Sequence, residues 1–350
     1  MLPQILPKEK FGQFVSFLMT EHKVVAPMAK GPQFAFGEVE SAQDAQAIRM
    51  DYDISILPLK KYVLPTHEAL LEFGSRDPAT ATPVVKSQPL VILGAHPYDL
   101  HALATLDAAM RTEPADANYI ARADATTVIG MNIGSYANEH QFMADMGTTE
   151  PPEGGFDLFM TDLGDRYYIE SGRPKGADIV KYSGVCRPAG KDDHKAKLEF
   201  DMKKAESLVK RLPYNTKYLP ELLDESYDSL LWDAISRRCF SCGTCTNVCP
   251  TCYCFDVQDK LNLDTVSGTR QRRWDSCQLK VFAEVAGGEN FREHRSSRTR
   301  HRMFRKGKYI NDRTGKLGCV GCGRCIQHCV AKISILEAFQ QIGGEADLRQ

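Results

Sequence analysis

Twelve cysteines occur in this chain of 350 residues, and eight of them fall into two matching runs. The first is Cys239-Phe-Ser-Cys242-Gly-Thr-Cys245-Thr-Asn-Val-Cys249-Pro250, and the second is Cys319-Val-Gly-Cys322-Gly-Arg-Cys325-Ile-Gln-His-Cys329-Val330. Both read C-x2-C-x2-C-x3-C. Three thiolates separated by two residues wrap one corner of an iron–sulfur cube, while the fourth leads away and reaches the other cube. The spacing therefore predicts two [4Fe–4S] clusters in crossed ligation. Cys239, Cys242, Cys245 and Cys329 are expected on the first, and Cys319, Cys322, Cys325 and Cys249 on the second.

Zinc is the competing reading, because two C-x2-C pairs can supply a ribbon site with four ligands. A zinc site has no reason to repeat the same four-cysteine spacing twice. A disulfide framework fits less well, since nothing marks the chain for secretion.

The clusters need a larger scaffold than a ferredoxin alone, and the length predicts about two domains. At 43% hydrophobic residues the chain can bury a core, and a formal net charge of −1 implies no general affinity for polyanions. The opening residues show no basic stretch followed by an apolar one. No apolar run approaches the ~18 residues of a membrane span. Twelve cysteines in that setting predict a reducing cytoplasm.

The elements that must position the thiols are α+β. Residues 1–185 are expected to form a mixed α/β domain, residues 186–238 a connector with helices, and residues 239–350 a bacterial-type 2[4Fe–4S] ferredoxin-like domain with an insertion at 250–318. Phe11, Phe14, Val15 and Leu18 predict a helix over 8–20. Strands are expected at 33–40, 90–95 and 127–132, with a hairpin over 156–170. Thr66 reads as the cap of a helix running to Phe73 and stopped by Gly74. Leu198, Met202, Ala205, Val209 and Leu212 predict a helix with one apolar face, and a further helix is expected from Pro220 to Arg238. Neither G-x-G-x-x-G nor G-x-x-x-x-G-K-[ST] occurs, so no nucleotide site is expected. His96, His101 and His140 read as solvated or hydrogen-bonded rather than metal-bound, and no catalytic residue is assigned.

Between the cysteine runs, residues 270–308 hold twelve Lys/Arg against four acids. Three readings stay open: a solvated arm, a docking face for an acidic partner, or a nucleic-acid contact. The third is disfavoured by the neutral overall charge and the absence of an RNA-binding motif. Cationic groups near a cluster would also raise its potential. Cys252, Cys254 and Cys277, with Cys186, are candidates for a further cluster.

The stretch from Arg238 to Ser334 resembles the iron–sulfur β subunits of cytoplasmic NAD(P)-linked [NiFe] hydrogenases and the related iron–sulfur subunits of anaerobic sulfite reductases. The matching residues are Cys249-Pro-Thr-Cys-Tyr-Cys-Phe255, Arg273-Trp-Asp-Ser-Cys277, Ala286-Gly-Gly-Glu-Asn-Phe-Arg292 and Cys319-Val-Gly-Cys-Gly-Arg-Cys325. The N-terminal half matches through Leu64-Pro65, Gly94, Asp99-Leu-His-Ala102, Leu106-Asp107 and Phe156-Asp157. The resemblance implies a non-catalytic relay subunit in a hetero-oligomer. Its partners would be a flavin/NAD(P)-binding subunit together with a catalytic redox subunit. Similar chains also accompany heterodisulfide-reductase-like modules. The rival class is a ferredoxin-fused reductase with its own flavin or cobalamin site in residues 1–185. Where many relatives carry Cys, this chain has Tyr98, Ile133, Gln141 and Met143, so no N-terminal cluster is expected.

Overall fold

The computed structural model describes residues 2–76 and 79–347, and it is an α+β fold. Among the described residues the strands are β1 (Gln4–Pro7), β2 (Lys23–Lys30), β3 (Gln33–Val39), β4 (His67–Gly74), β5 (Thr80–Pro83), β6 (Leu90–Ala95), β7 (Thr126–Met131), β8 (Leu158–Asp162), β9 (Arg166–Ser171), β10 (Arg187–Pro188), β11 (Phe255–Leu261) and β12 (Ser267–Trp274). Eight make one sheet, ordered β10-β1-β9-β8-β7-β6-β2-β3. Its centre, β8-β7-β6-β2, is parallel, and its flanks are antiparallel.

Burial on both faces explains why β6 reads as an unbroken apolar run, and β7 is likewise buried along its whole length. Val24, Ala26, Val91 and Leu93 point into one core layer with Phe14, Val15 and Leu18 of the Phe11–Met19 helix. Their neighbours Val25, Leu90 and Ile92 point to the opposite layer with Leu100. Period-two alternation thus feeds two cores from one set of strands. The Pro97–Met110 and Ala117–Ala125 helices form the crossover from β6 to β7.

The second sheet, β11-β12-β4-β5, joins an N-terminal hairpin to a hairpin of the insertion. Here the expected helix at 66–73 is corrected. His67–Gly74 is a strand, and Thr66 caps nothing: its carbonyl accepts the Trp274 amide at 2.9 Å. Glu68 lies opposite Arg272 in the ladder and receives Arg272 at 2.6 Å and Arg122 at 2.6 Å. A partner strand some two hundred residues away overrides the local helix preference.

Two further helices differ from expectation. The helix after the connector runs Lys191–Ser207, and its anticipated apolar stripe faces outward, with Leu198 61% and Met202 58% exposed. Polar anchors set its rotation instead. Asp193 pairs with Arg166 and Arg187, and Lys204 donates to Asn132 and to the Thr149 carbonyl, each at 2.7 Å. The single helix expected at 220–238 is two, Leu219–Glu225 and Leu231–Arg238, and Cys239 caps the second.

Candidate cluster sites

Each cysteine run folds the same way. A glycine with positive φ turns the chain into a one-turn helix that carries the third cysteine. The pairs are Gly243 with Thr244–Asn247 and Gly323 with Arg324–Gln327. At Gly321, φ is +66 and an added Cβ would lie 2.6 Å from the Met143 amide nitrogen and the Phe142 backbone. Backbone this close to the N-terminal domain leaves room for no side chain. We expect Gly321→Ala to separate the second run from Phe142–Met143, lowering the thermal midpoint and depleting iron, while Gly315→Ala in open space loses no iron. Equal iron in both proteins would contradict this.

Two neighbouring cavities receive the thiols. Cys239, Cys242, Cys245 and Cys329 line the first, together with Cys325, Gln278, Arg302 and Ile335. Cys319, Cys322, Cys325 and Cys249 line the second, with Phe142, Thr251, Arg302 and Lys306. Each cavity draws on the opposite run: Cys325 and Cys329 border the first, and Cys249 borders the second. No carboxylate or imidazole lines either wall, so the donors are of the soft type that iron–sulfur clusters take. Among the described residues no three or more His, Cys, Asp or Glu side chains are drawn together so as to hold a single metal ion; the thiols ring cavities instead. Backbone amides already point at sulfur: Ser241 N–H donates to Cys239 Sγ at 3.3 Å and Ile333 N–H to Cys329 Sγ at 3.4 Å.

The cavities differ in exposure. Cys242 is exposed and is flanked by Phe240 and Val330, which are 71% and 70% exposed, so the first cavity reaches the surface. The second is lined mostly by buried residues, among them Cys249, Cys322, Phe142, Arg302 and Lys306. Burial pushes the Cys245 and Cys322 thiols up to about 12 and raises Cys319 further. Such thiols ionise when a metal takes the place of the proton.

Sequence reasoning missed the charges around these thiols. The Arg295–Phe304 helix was a candidate outward docking face, yet Arg298 and Arg302 are buried at 6% and 5% exposure, and Lys306 beyond it at 1%. Steps of four residues put all three on one inward stripe. Arg298 donates to the Gln278 carbonyl at 3.0 Å. Arg302 reaches Cys252 Sγ at 3.7 Å and borders both cavities. Burial works against its charge, but the thiols of Cys245, Cys325, Cys252 and Cys249 hold it well above the usual guanidinium value. Lys60 arrives from the N-terminal domain, donates to the Cys252 carbonyl at 2.7 Å and sits 4.1 Å from the Trp274 ring centroid. Burial lowers it to about 8.

A second missed feature is Arg324, between Gly323 and Cys325. It is fully buried and forms a two-pronged pair with Asp99, both contacts at 2.7 Å, while Ser55 takes two more of its hydrogens. Asp99 lies in the first turn of the Pro97–Met110 helix, whose N-cap is His96. The available signal was an arginine set inside a ligand loop in one half of the chain, with Asp99 among the matching residues of the other half.

The remaining cysteines divide. The free thiols of Cys254 and Cys277 are neighbours, as are those of Cys252 and Cys249, and Cys186 packs against the core of the eight-stranded sheet away from them. Tyr98, Ile133, Gln141 and Met143 come together around a further cavity beyond β6 and β7, beside Asp53, His96 and Asn132. His96 there is stacked on Tyr52 and bonded to the Tyr98 hydroxyl at 2.7 Å, and burial lowers it to about 3. His101 bonds the Glu150 carbonyl at 2.9 Å.

Thiol-ringed cavities on paired one-turn helices define a ferredoxin-like protein of the dicluster class. A family model described as a 4Fe-4S dicluster domain matches residues 238–333. Sulfhydrogenase 2 subunit beta of Pyrococcus furiosus is 31% identical over 338 residues, spanning 96% of this chain and 97% of that protein. The chain belongs to the family of iron–sulfur hydrogenase β subunits, and it is an iron–sulfur electron-transfer subunit of a hydrogenase-type complex. No helix among the described residues is long and apolar enough to cross a membrane.

Proposed function

We propose that this subunit relays electrons through two [4Fe–4S] clusters between a flavin/NAD(P)-binding subunit on one side and a catalytic redox subunit on the other, in the cytoplasm. Cys239, Cys242, Cys245 and Cys329 would hold the first cluster, and Cys319, Cys322, Cys325 and Cys249 the second. The observation that carries this reading is the composition of the cavity walls: Cys329 lies with Cys239, Cys242 and Cys245, and Cys249 lies with Cys319, Cys322 and Cys325. Each cluster, when bound, takes up and returns one electron. The chain supplies the rest. Amides at Ser241 and Ile333 stabilise charge on sulfur, Arg302 and Lys306 offset it, and the mostly buried walls of the second cavity exclude water. Exposed Phe240 and Val330 make the rim of the first cavity the natural point of electron exchange with a partner. Residues 1–185 act as the platform that holds the second cluster loop through Arg324.

The test uses the protein with and without its companion. NAD(P)H should bleach the visible iron–sulfur absorption only when the flavin-bearing subunit is present. Bleaching of the isolated chain by NAD(P)H would show a flavin or nicotinamide site of its own and would sink the relay reading.

A further inference from the structure

Buried cations need anions, and around these cavities the usual anions are missing. Arg302 and Lys306 are both almost wholly enclosed. Every ion pair of a lysine or arginine with a carboxylate within 4 Å among the described residues involves other side chains. Lys306 donates to two neutral oxygens, Thr251 Oγ1 at 2.6 Å and the Gly318 carbonyl at 3.1 Å. Arg302 turns to sulfur, bonding the thiols of Cys252 and Cys325. Removing an unpaired cation from water is strongly unfavourable. The groups available to balance these two are the cysteines around them, which become anionic thiolates when a metal replaces the proton.

The two cations are placed differently. Arg302 lies on the shared wall and borders both cavities, as Cys325 does. Lys306 borders only the second, next to Cys249. Arginine suits the shared position because its charge is spread over a planar fork and is never lost.

Building on the two-cluster reading, we propose that Arg302 is the common counter-charge of both clusters and Lys306 a private one of the second, together holding the reduced forms in reach of the electron donor. One-electron reduction adds one negative charge to a cavity. A fixed cation beside it stabilises that charge more than the oxidised form and so raises the potential. A cation shared between the cavities raises both potentials together and leaves their difference unchanged, while Lys306 raises the second alone. The inward stripe of the Arg295–Phe304 helix is thus a device for tuning the relay.

The test is a redox titration of the whole chain, anaerobically purified, read by electron paramagnetic resonance of each reduced cluster. Arg302→Gln should lower both midpoint potentials, each by about tenfold in the reduction equilibrium, or about 59 mV for a one-electron couple. Arg302→Lys keeps the charge and should leave both near the wild-type value. Lys306→Gln should lower the second cluster alone. Arg302→Gln protein with both clusters present and either potential unmoved overturns the proposal. If Arg302→Gln fails to assemble, Lys306→Gln decides: an unmoved second cluster, or equal shifts in both, overturns it. A wild-type protein with a single cluster signal would instead contradict the two-cluster reading, and that result appears before any variant is made.

Discussion

Arg324→Met is expected to be the most damaging single change outside the cysteines. The guanidinium makes four hydrogen bonds in full burial, two to Asp99 and two to Ser55, and all four cross from the second cluster loop to the N-terminal domain. Removing one member of a buried pair strands the other, at about 3–5 kcal/mol. That is a large part of the roughly 5–15 kcal/mol that keeps a domain folded. Because Arg324 stands beside Cys325, the loss should strike the second cluster as well as the fold. The expected result is a lowered thermal midpoint with the second cluster's resonance signal gone and the first retained. Pairing the change with Asp99→Leu should recover stability, since it removes the stranded charge. A single variant with wild-type midpoint and both signals would show that the pair contributes little.

Cys329→Ala should abolish the first cluster, although Cys329 belongs to the second run. Cys249→Ala should abolish the second for the mirror reason. Cys329 shares a cavity with Cys239, Cys242 and Cys245 and does not line the one holding Cys319 and Cys322. The signal lost therefore reports which triplet each distant thiol serves. Uncrossed ligation would reverse the pattern, with Cys329→Ala removing the signal of the Cys319 triplet. Each change should also loosen the fold, because a cluster joining segments some eighty residues apart adds binding energy to folding energy.

Much of this site is legible in the residues alone. Ligand spacing in a cluster loop is local, since a few residues and one glycine settle where three thiols point, so Cys239 to Cys249 and Cys319 to Cys329 can be read directly. The central strands are legible for a related reason: burial on both faces leaves a mark within six residues, as in Leu90–Ala95. Features decided by distant partners are not. His67–Gly74 is a strand because β12 lies beside it. The stripe of Leu198 and Met202 turns outward because Asp193 and Lys204 find polar partners on the sheet domain. The arginines of 295–306 look like a solvated or docking surface because charge usually means exposure. Nothing in their own spacing reveals that two thiol-lined cavities lie beneath them. Asp99 and Arg324 are each ordinary residues until the two halves of the chain meet.

The central claim is that eight of the twelve thiols hold two cubes. Its most direct test is a chemical count of iron and acid-labile sulfide per chain in anaerobically purified protein. Two clusters predict about eight of each. About four would mean that one run holds no cluster, and about twelve would bring Cys252, Cys254 and Cys277 into a third site; either result would contradict the account.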